Sequence, residues 1–203
     1  MRKSKRTIRL FFFLIIALLI TASVLDRLVI HKSSNAPQVQ SSPDSNQDNQ
    51  KYHLKQFTVL YVVDGDTLDL NVADDINQKK HTRVRILGID TPETKKTNSP
   101  VMYFGPEASK KTKQLALDKV VTVILDPLSK SRDRYGRLLC HIKLSDDTFL
   151  SQVLIERGYC YVDPRFPHSF YRKYEKLGKQ ARRKKIGLWE SVTPKDYPHW
   201  MKK

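Results

Sequence analysis

Between residues 57 and 89, three β-patterned segments follow one another with very little chain between them. Residues 57–63 (FTVLYVV) are β-branched and aromatic, the composition of a strand. Asp64-Gly65 is a turn signal. Leu68, Leu70 and Val72 then alternate with Thr67, Asp69 and Asn71, which predicts a half-buried strand. A polar stretch at 74–81 leads into residues 82–89 (TRVRILGI), where the side-chain period of two places Arg83 and Arg85 on one face. A crossover between parallel strands takes a dozen residues or more. These three segments are therefore expected to pair as antiparallel neighbours.

The remaining pattern completes a small closed architecture. Gly105-Pro106-Glu107 opens a helical pattern that runs to about residue 119, with proline in its first turn. Residues 120–125 (VVTVIL) and 137–144 (RLLCHIKL) read as two more strands. Residues 149–157 read as a short helix stopped by Gly158. Phe170, Tyr174, Leu177, Ala181 and Leu188 recur at helical spacing through a strongly basic segment, 168–187. Five short strands, with a helix between the third and fourth, predict an α+β, mainly β, domain: a five-stranded OB-type Greek-key barrel with three capping helices. The seven glycines form no dinucleotide fingerprint, P-loop or nucleophile elbow.

Charge narrows the partners. Hydrophobic residues make up 39% of the 203, which supports one core and excludes a wholly disordered chain. The formal net charge is +16, which favours a polyanion such as nucleic acid or an anionic membrane surface. Residues 1–32 hold seven bases and one acid, and 33–51 hold one base and two acids, which leaves +11 to the rest of the chain. The excess is thus a property of the domain itself.

The N-terminal basic run precedes sixteen uncharged residues, 10–25 (LFFFLIIALLITASVL). That is shorter than the roughly 20 residues of a membrane span and close to a signal-peptide core of roughly 7–15. Residues 1–32 are therefore expected to be a signal peptide or a membrane anchor, and either one carries the rest of the chain out of the cytoplasm. Residues 33–51, rich in Ser, Asn, Gln and Asp, are expected to be a disordered polar linker. The folded domain is expected over 52–190, with 191–203 as a tail strapped onto it.

Three polar clusters can carry chemistry. The first is Asp64-Gly65-Asp66-Thr67, at a turn into a strand. The second is Arg85 with Asp90-Thr91-Pro92-Glu93, where a strand delivers an arginine and its end delivers two carboxylates. The third is Arg132-Asp133-Arg134-Tyr135-Gly136-Arg137. Each alone reads as an ordinary turn or a solvated charged loop. Together they assemble a chemistry. Asp66 and Asp90 are hard oxygen donors suited to Ca²⁺ or Mg²⁺ rather than zinc. Glu93 can act as a general base towards water. Arg85 and Arg137 can hold a phosphate and stabilise its transition-state charge.

The motifs D-G-D-T (64–67), R-I-L-G-I-D-T-P-E-T (85–94), Y-F-G-P-E-A-S (103–109), D-R-Y-G-R (133–137), L-I-E-R-G (154–158) and K-x-x-G-L-W (184–189) resemble, in order, those of the staphylococcal nuclease (thermonuclease) family. The resemblance covers roughly residues 57–190. It implies the OB-type barrel already expected, and an endonuclease that uses one Ca²⁺ ion and acts as a monomer. It also implies DNA and RNA substrates, single-stranded or locally unpaired, and 3′-phosphate ends. Carried over by position, it makes Asp66, Asp90 and the Thr91 carbonyl the calcium ligands, with Asp64 supporting them from behind. Glu93 becomes the general base and Arg85 and Arg137 the catalytic arginines. Arg134 and Tyr135 become contacts to substrate phosphate. Two nucleotide-stacking tyrosines of the family have no clean counterparts; Tyr161 and Tyr171 are the candidates.

Two alternatives stay open on the sequence alone. A catalytically silent nucleic-acid-binding domain could share this fold, since fold does not fix function. Cys140 and Cys160 could form a disulfide, as in many exported proteins, or could be two small buried hydrophobes.

Overall fold

A computed structural model of the chain describes residues 43–94 and 101–202. The expected targeting segment and the first part of the expected linker lie outside the described residues. Among the described residues no helix is long and apolar enough to cross a membrane.

The strands are β1 (Gln56–Val62), β2 (Thr67–Leu70), β3 (Thr82–Ile86), β4 (Ile89–Asp90), β5 (Val120–Ile124), β6 (Leu138–Lys143) and β7 (Tyr161–Val162). Five of them close a barrel in the order β1-β2-β3-β6-β5. The β1–β2, β2–β3, β1–β5 and β5–β6 pairs are antiparallel, and β3–β6 is parallel. β4 and β7 form a separate antiparallel pair beside it. The barrel is filled by alternate inward side chains, among them Val59, Leu68, Leu70, Val84, Ile86, Val121, Val123, Leu138 and Ile142. Cys140 and Cys160 are two free thiols buried in this core, so no disulfide joins them, and burial pushes both thiols well up in pKa. They act as small hydrophobes.

β2 departs from the expected half-buried strand, because all four of its residues are buried. The β2–β3 register pairs Asp69 with Arg83 and Thr67 with Arg85. Arg83 covers Asp69 with two hydrogen bonds of 2.8 and 2.9 Å. The outward face of β2 is thus covered by the arginines of its neighbour rather than by water.

Among the described residues there are four helices: α1 (Pro43–Tyr52), α2 (Gly105–Ala116), α3 (Leu150–Glu156) and α4 (Tyr171–Arg183). α2, α3 and α4 fall where the sequence periodicity predicts them. α4 packs chiefly on α3 and buries Tyr174 and Ala181. α1 occupies the second part of the expected polar linker, which corrects that boundary. Its sequence has almost no apolar stripe, and tertiary contacts supply what propensity does not. Tyr52 is buried, and its hydroxyl lies 2.9 Å from Thr82 Oγ1. Asp48 is also buried and accepts two hydrogen bonds from Arg132, at 2.8 and 2.9 Å. Arg132 also bonds Asp74 at 2.8 Å, so one guanidinium ties α1 to the 74–81 hairpin. Arg132→Ala would leave two carboxylates in a poorly solvated site without their counter-ion. It is expected to destabilise the fold by about 3–5 kcal/mol, read as a lowered urea midpoint.

A second buried polar group lies under α4. Asp126 accepts hydrogen bonds from the Ser169 backbone (2.7 Å) and hydroxyl (3.1 Å), and it contacts His141 Nε2 at 3.3 Å. His168 stacks beside His141 and Tyr174, with Asp126 and Asp163 as the carboxylates acting on it. Burial, and then the neighbouring His141, push the His168 pKa down from 6.5 to about 4. The unfolded chain therefore takes up a proton that the folded chain refuses, in the window between those values. Stability is complete above the unfolded value and falls as the pH drops through the window. His168→Phe cannot titrate. In urea melts at pH 7.5 and 4.5 it is expected to lose less stability on acidification than the wild type, by roughly 1–3 kcal/mol.

Candidate active site

The three polar clusters meet at one mouth of the barrel. The first, on the β1–β2 turn, and the second, after β4, are bonded directly to each other. Thr91 donates its backbone N–H (2.7 Å) and its hydroxyl (3.1 Å) to Asp66 Oδ2. Gly65 permits this approach, since a Cβ there would lie 2.6 Å from the Thr91 side chain. Thr112 on α2 donates to the Gly65 carbonyl at 2.7 Å, so the helix holds the turn in place.

Arg85 is the centre of the arrangement. It projects from β3 and is only 4% exposed. Nη1 meets Asp66 Oδ2 at 2.7 Å, and Nη2 meets Asp90 Oδ1 at 2.5 Å and Asp163 Oδ2 at 3.5 Å. These carboxylates hold its pKa above the ordinary range despite burial, so it remains a fixed cation. The carboxylates themselves are crowded. Burial, and then the Asp66 charge, push Asp64 up to about 7 and raise Asp90 as well.

The third cluster supplies Arg137. Its Nε and Nη2 each lie 2.7 Å from Asp133 Oδ2, and its Nη1 lies 3.5 Å from Thr67 Oγ1. Thr67 in turn donates to Asp66 Oδ1 at 3.0 Å. Arg137, Thr67, Asp66 and Arg85 thus form one connected chain, with an arginine at each end. Arg134 and Tyr135 stand at the exposed rim; Arg134 Nη2 lies 2.6 Å from the Tyr135 hydroxyl, and Tyr135 is 65% exposed. Arg132, from the same cluster, serves α1 instead.

Glu93 lines a cleft of about 530 Å³ with Asp90, Thr91, Tyr103, Arg165 and Trp200. Its backbone carbonyl accepts the Met102 N–H at 3.0 Å. Of the two tyrosine candidates for base stacking, Tyr161 is buried edge-on against Trp189 and has no free face. Tyr171 lies at the start of α4 beside His168.

Among the described residues, no three carboxylate, imidazole or thiol groups already surround one point closely enough to hold a metal. Arg85 sits between Asp66 and Asp90 instead. The donors are nevertheless of the right kind. Asp64, Asp66, Asp90 and the Thr91 carbonyl are hard oxygens, and a divalent cation beside them would favour the ionised form of Asp64 and Asp90, whose pKa is raised first by burial and then by the Asp66 charge. The residues fit such an ion.

Three partners of this site carry no signal in the sequence. Asp163, fully buried just after β7, accepts hydrogen bonds from Arg165 Nε and Nη2, both at 2.8 Å. Arg165 Nη2 also lies 2.8 Å from Asp90 Oδ1. Trp200, in the tail, donates its indole N–H to Asp90 Oδ2 at 2.8 Å. All three reach Asp90 or Arg85 only through tertiary folding, across 75 to 110 positions of sequence.

Residues 83–191 match the family described as "Staphylococcal nuclease homologue". The chain is 34% identical over 137 residues to a thermonuclease of Staphylococcus intermedius, covering 67% of this chain and 77% of that protein. It is 33% identical over 136 residues to the thermonuclease of Staphylococcus hyicus, covering 66% and 76%. It is 36% identical over 146 residues to endonuclease YncB of Bacillus subtilis (strain 168), covering 70% and 64%.

The placement of Glu93 depends on the absence of a side chain at Gly105. A Cβ there would lie 2.7 Å from the Glu93 carbonyl oxygen, a backbone atom with no rotamer to yield. Gly105→Ala is expected to lower stability by about 1–3 kcal/mol through overpacking, read as a fall in melting temperature.

Proposed function

Because the chain belongs to the staphylococcal nuclease family, and so is a nuclease, we propose that it is an exported Ca²⁺-dependent endonuclease. It hydrolyses phosphodiester bonds of DNA and RNA in single-stranded or locally unpaired stretches, leaves 3′-phosphate ends and acts as a monomer. The observation that carries the catalytic reading is the connected chain from Arg137 through Thr67 and Asp66 to Arg85, with Glu93 in the adjoining cleft.

Asp66, Asp90 and the Thr91 carbonyl hold the cation, backed by Asp64. When bound, the cation would supply positive charge against the scissile phosphate. Glu93 takes a proton from the attacking water as its oxygen forms a bond to phosphorus. The bond to the 5′ oxygen breaks, that oxygen takes a proton from solvent water, and the phosphate stays on the 3′ side. Arg85 and Arg137 approach the phosphate from two directions and stabilise the charge that builds on its oxygens. Arg134 and Tyr135, exposed at the rim, contact the phosphate of the bound strand. The basic run and apolar core of residues 1–32 support export, as a cleaved signal or as an anchor at a membrane.

Digestion of single-stranded DNA with added Ca²⁺ or with EDTA tests this reading. Cleavage is expected with Ca²⁺ and not with EDTA. Glu93→Gln and Arg137→Ala should each lower the rate at least about 100-fold. A wild-type protein that cleaves equally well in EDTA would overturn the proposed calcium dependence.

A further inference from the structure

The family match ends at residue 191, and the chain then builds one wall of the cleft beside the reaction centre. This segment forms two short 3-10 turns, Pro194–Asp196 and His199–Met201. It is held at several points. The Thr193 backbone N–H and hydroxyl bond Asp196 Oδ2 at 2.9 and 2.6 Å, which closes the first turn. Tyr197 packs edge-on against Tyr161, with ring centroids 6.0 Å apart, and its hydroxyl accepts from Arg182 at 3.1 Å. Trp200 is bonded to Asp90 itself, and the Arg165 guanidinium lies 5.1 Å from the centroid of its ring. The strap is therefore placed at a fixed distance from a proposed metal carboxylate.

The groups facing this cleft have a consistent chemistry. Tyr103, 41% exposed, lies on the loop wall, and His199 and Trp200 on the strap. Arg165, Lys195 and Lys202 add positive charge, offset in part by Asp196, while Asp90 and Glu93 mark the side of the reaction centre. Aromatic faces interleaved with cations are the means by which single-stranded nucleic acid is held without sequence readout. The volume, about 530 Å³, lies within the roughly 300–1,000 Å³ range of small-ligand sites.

We propose that the C-terminal strap, with Tyr103 and Arg165, forms a nucleotide-binding subsite beside the scissile bond. It takes one nucleoside unit of a single-stranded nucleic acid between aromatic side chains, and Lys195 and Lys202 hold the flanking phosphates. The inference rests on the nuclease reading above and extends it, because the strap lies outside the matched family region and neither proposed stacking tyrosine lines this cleft.

The test uses steady-state cleavage of a single-stranded oligothymidylate with Ca²⁺, across a series of salt concentrations. Two variants are compared with the wild type: Lys195→Gln with Lys202→Gln, and a deletion of residues 192–203. The deletion should raise KM at least about fivefold, the lower end of one lost base-stacking contact. The double substitution should make the slope of log kcat/KM against log salt shallower by about 1.4, since each contact to a single-strand phosphate contributes about 0.7. Thermal melting of both variants reports on folding. Should the deletion fail to fold, the double substitution and His199→Ala, which should raise KM, decide the matter. Unchanged KM and unchanged slope, with wild-type cleavage intact, would overturn the subsite and leave the nuclease reading standing. A wild type that does not cleave at all would overturn the nuclease reading, and the subsite with it.

Discussion

One buried guanidinium organises this molecule. Arg85 leaves β3 with its charge almost sealed from water, and it draws in Asp66 from the β1–β2 turn, Asp90 from β4 and Asp163 from the segment after β7. Those carboxylates come from three separate stretches of chain. A buried ion pair is weak evidence for stability, because desolvation offsets much of its Coulombic gain. Removing one partner is far more damaging than never having had the pair. The arrangement therefore adds little net stability of its own, and ties three remote segments to one buried cation.

The same arrangement makes the mouth of a small barrel the proposed reaction centre. The barrel supplies rigid strands, and β2–β3 register sets Arg85 opposite Thr67. Thr67 then links Asp66 to Arg137, so the two arginines belong to one bonded structure. Preorganised charges of this kind need little reorganisation when charge develops on a substrate. Excess carboxylate on one side and fixed cations on the other suit a site that must hold both a cation and a phosphate.

Much of this was legible in the linear chain, and for identifiable reasons. The β-patterned segments between 57 and 89 stand too close for crossovers, which left antiparallel pairing as the only course. Gly105-Pro106 marked the start of α2, and Gly158 the end of α3. The proposed site residues Asp66, Arg85, Asp90, Glu93 and Arg137 sit in short motifs whose residue types suit the proposed chemistry. What escaped depends on long-range contact. α1 lacks an apolar stripe and exists because Arg132 reaches Asp48 across 84 positions. The burial of Asp69 depends on Arg83 in the next strand. Tyr161 was a reasonable stacking candidate by position, yet it is closed in by Trp189 and Tyr197.

The tail marks the boundary most clearly. Composition, periodicity and motif order by themselves determined a basic, mainly β barrel with capping helices, a set of oxygen donors and two arginines suited to phosphate chemistry. Local patterns of that kind are set by residues a few positions apart. Only the tertiary structure decided that Trp200 would meet Asp90, that Arg165 would bridge Asp90 and Asp163, and that both cysteines would stay unbonded in the core. Those outcomes turn on distances between side chains remote in sequence, which closing the barrel and packing the helices alone bring into range.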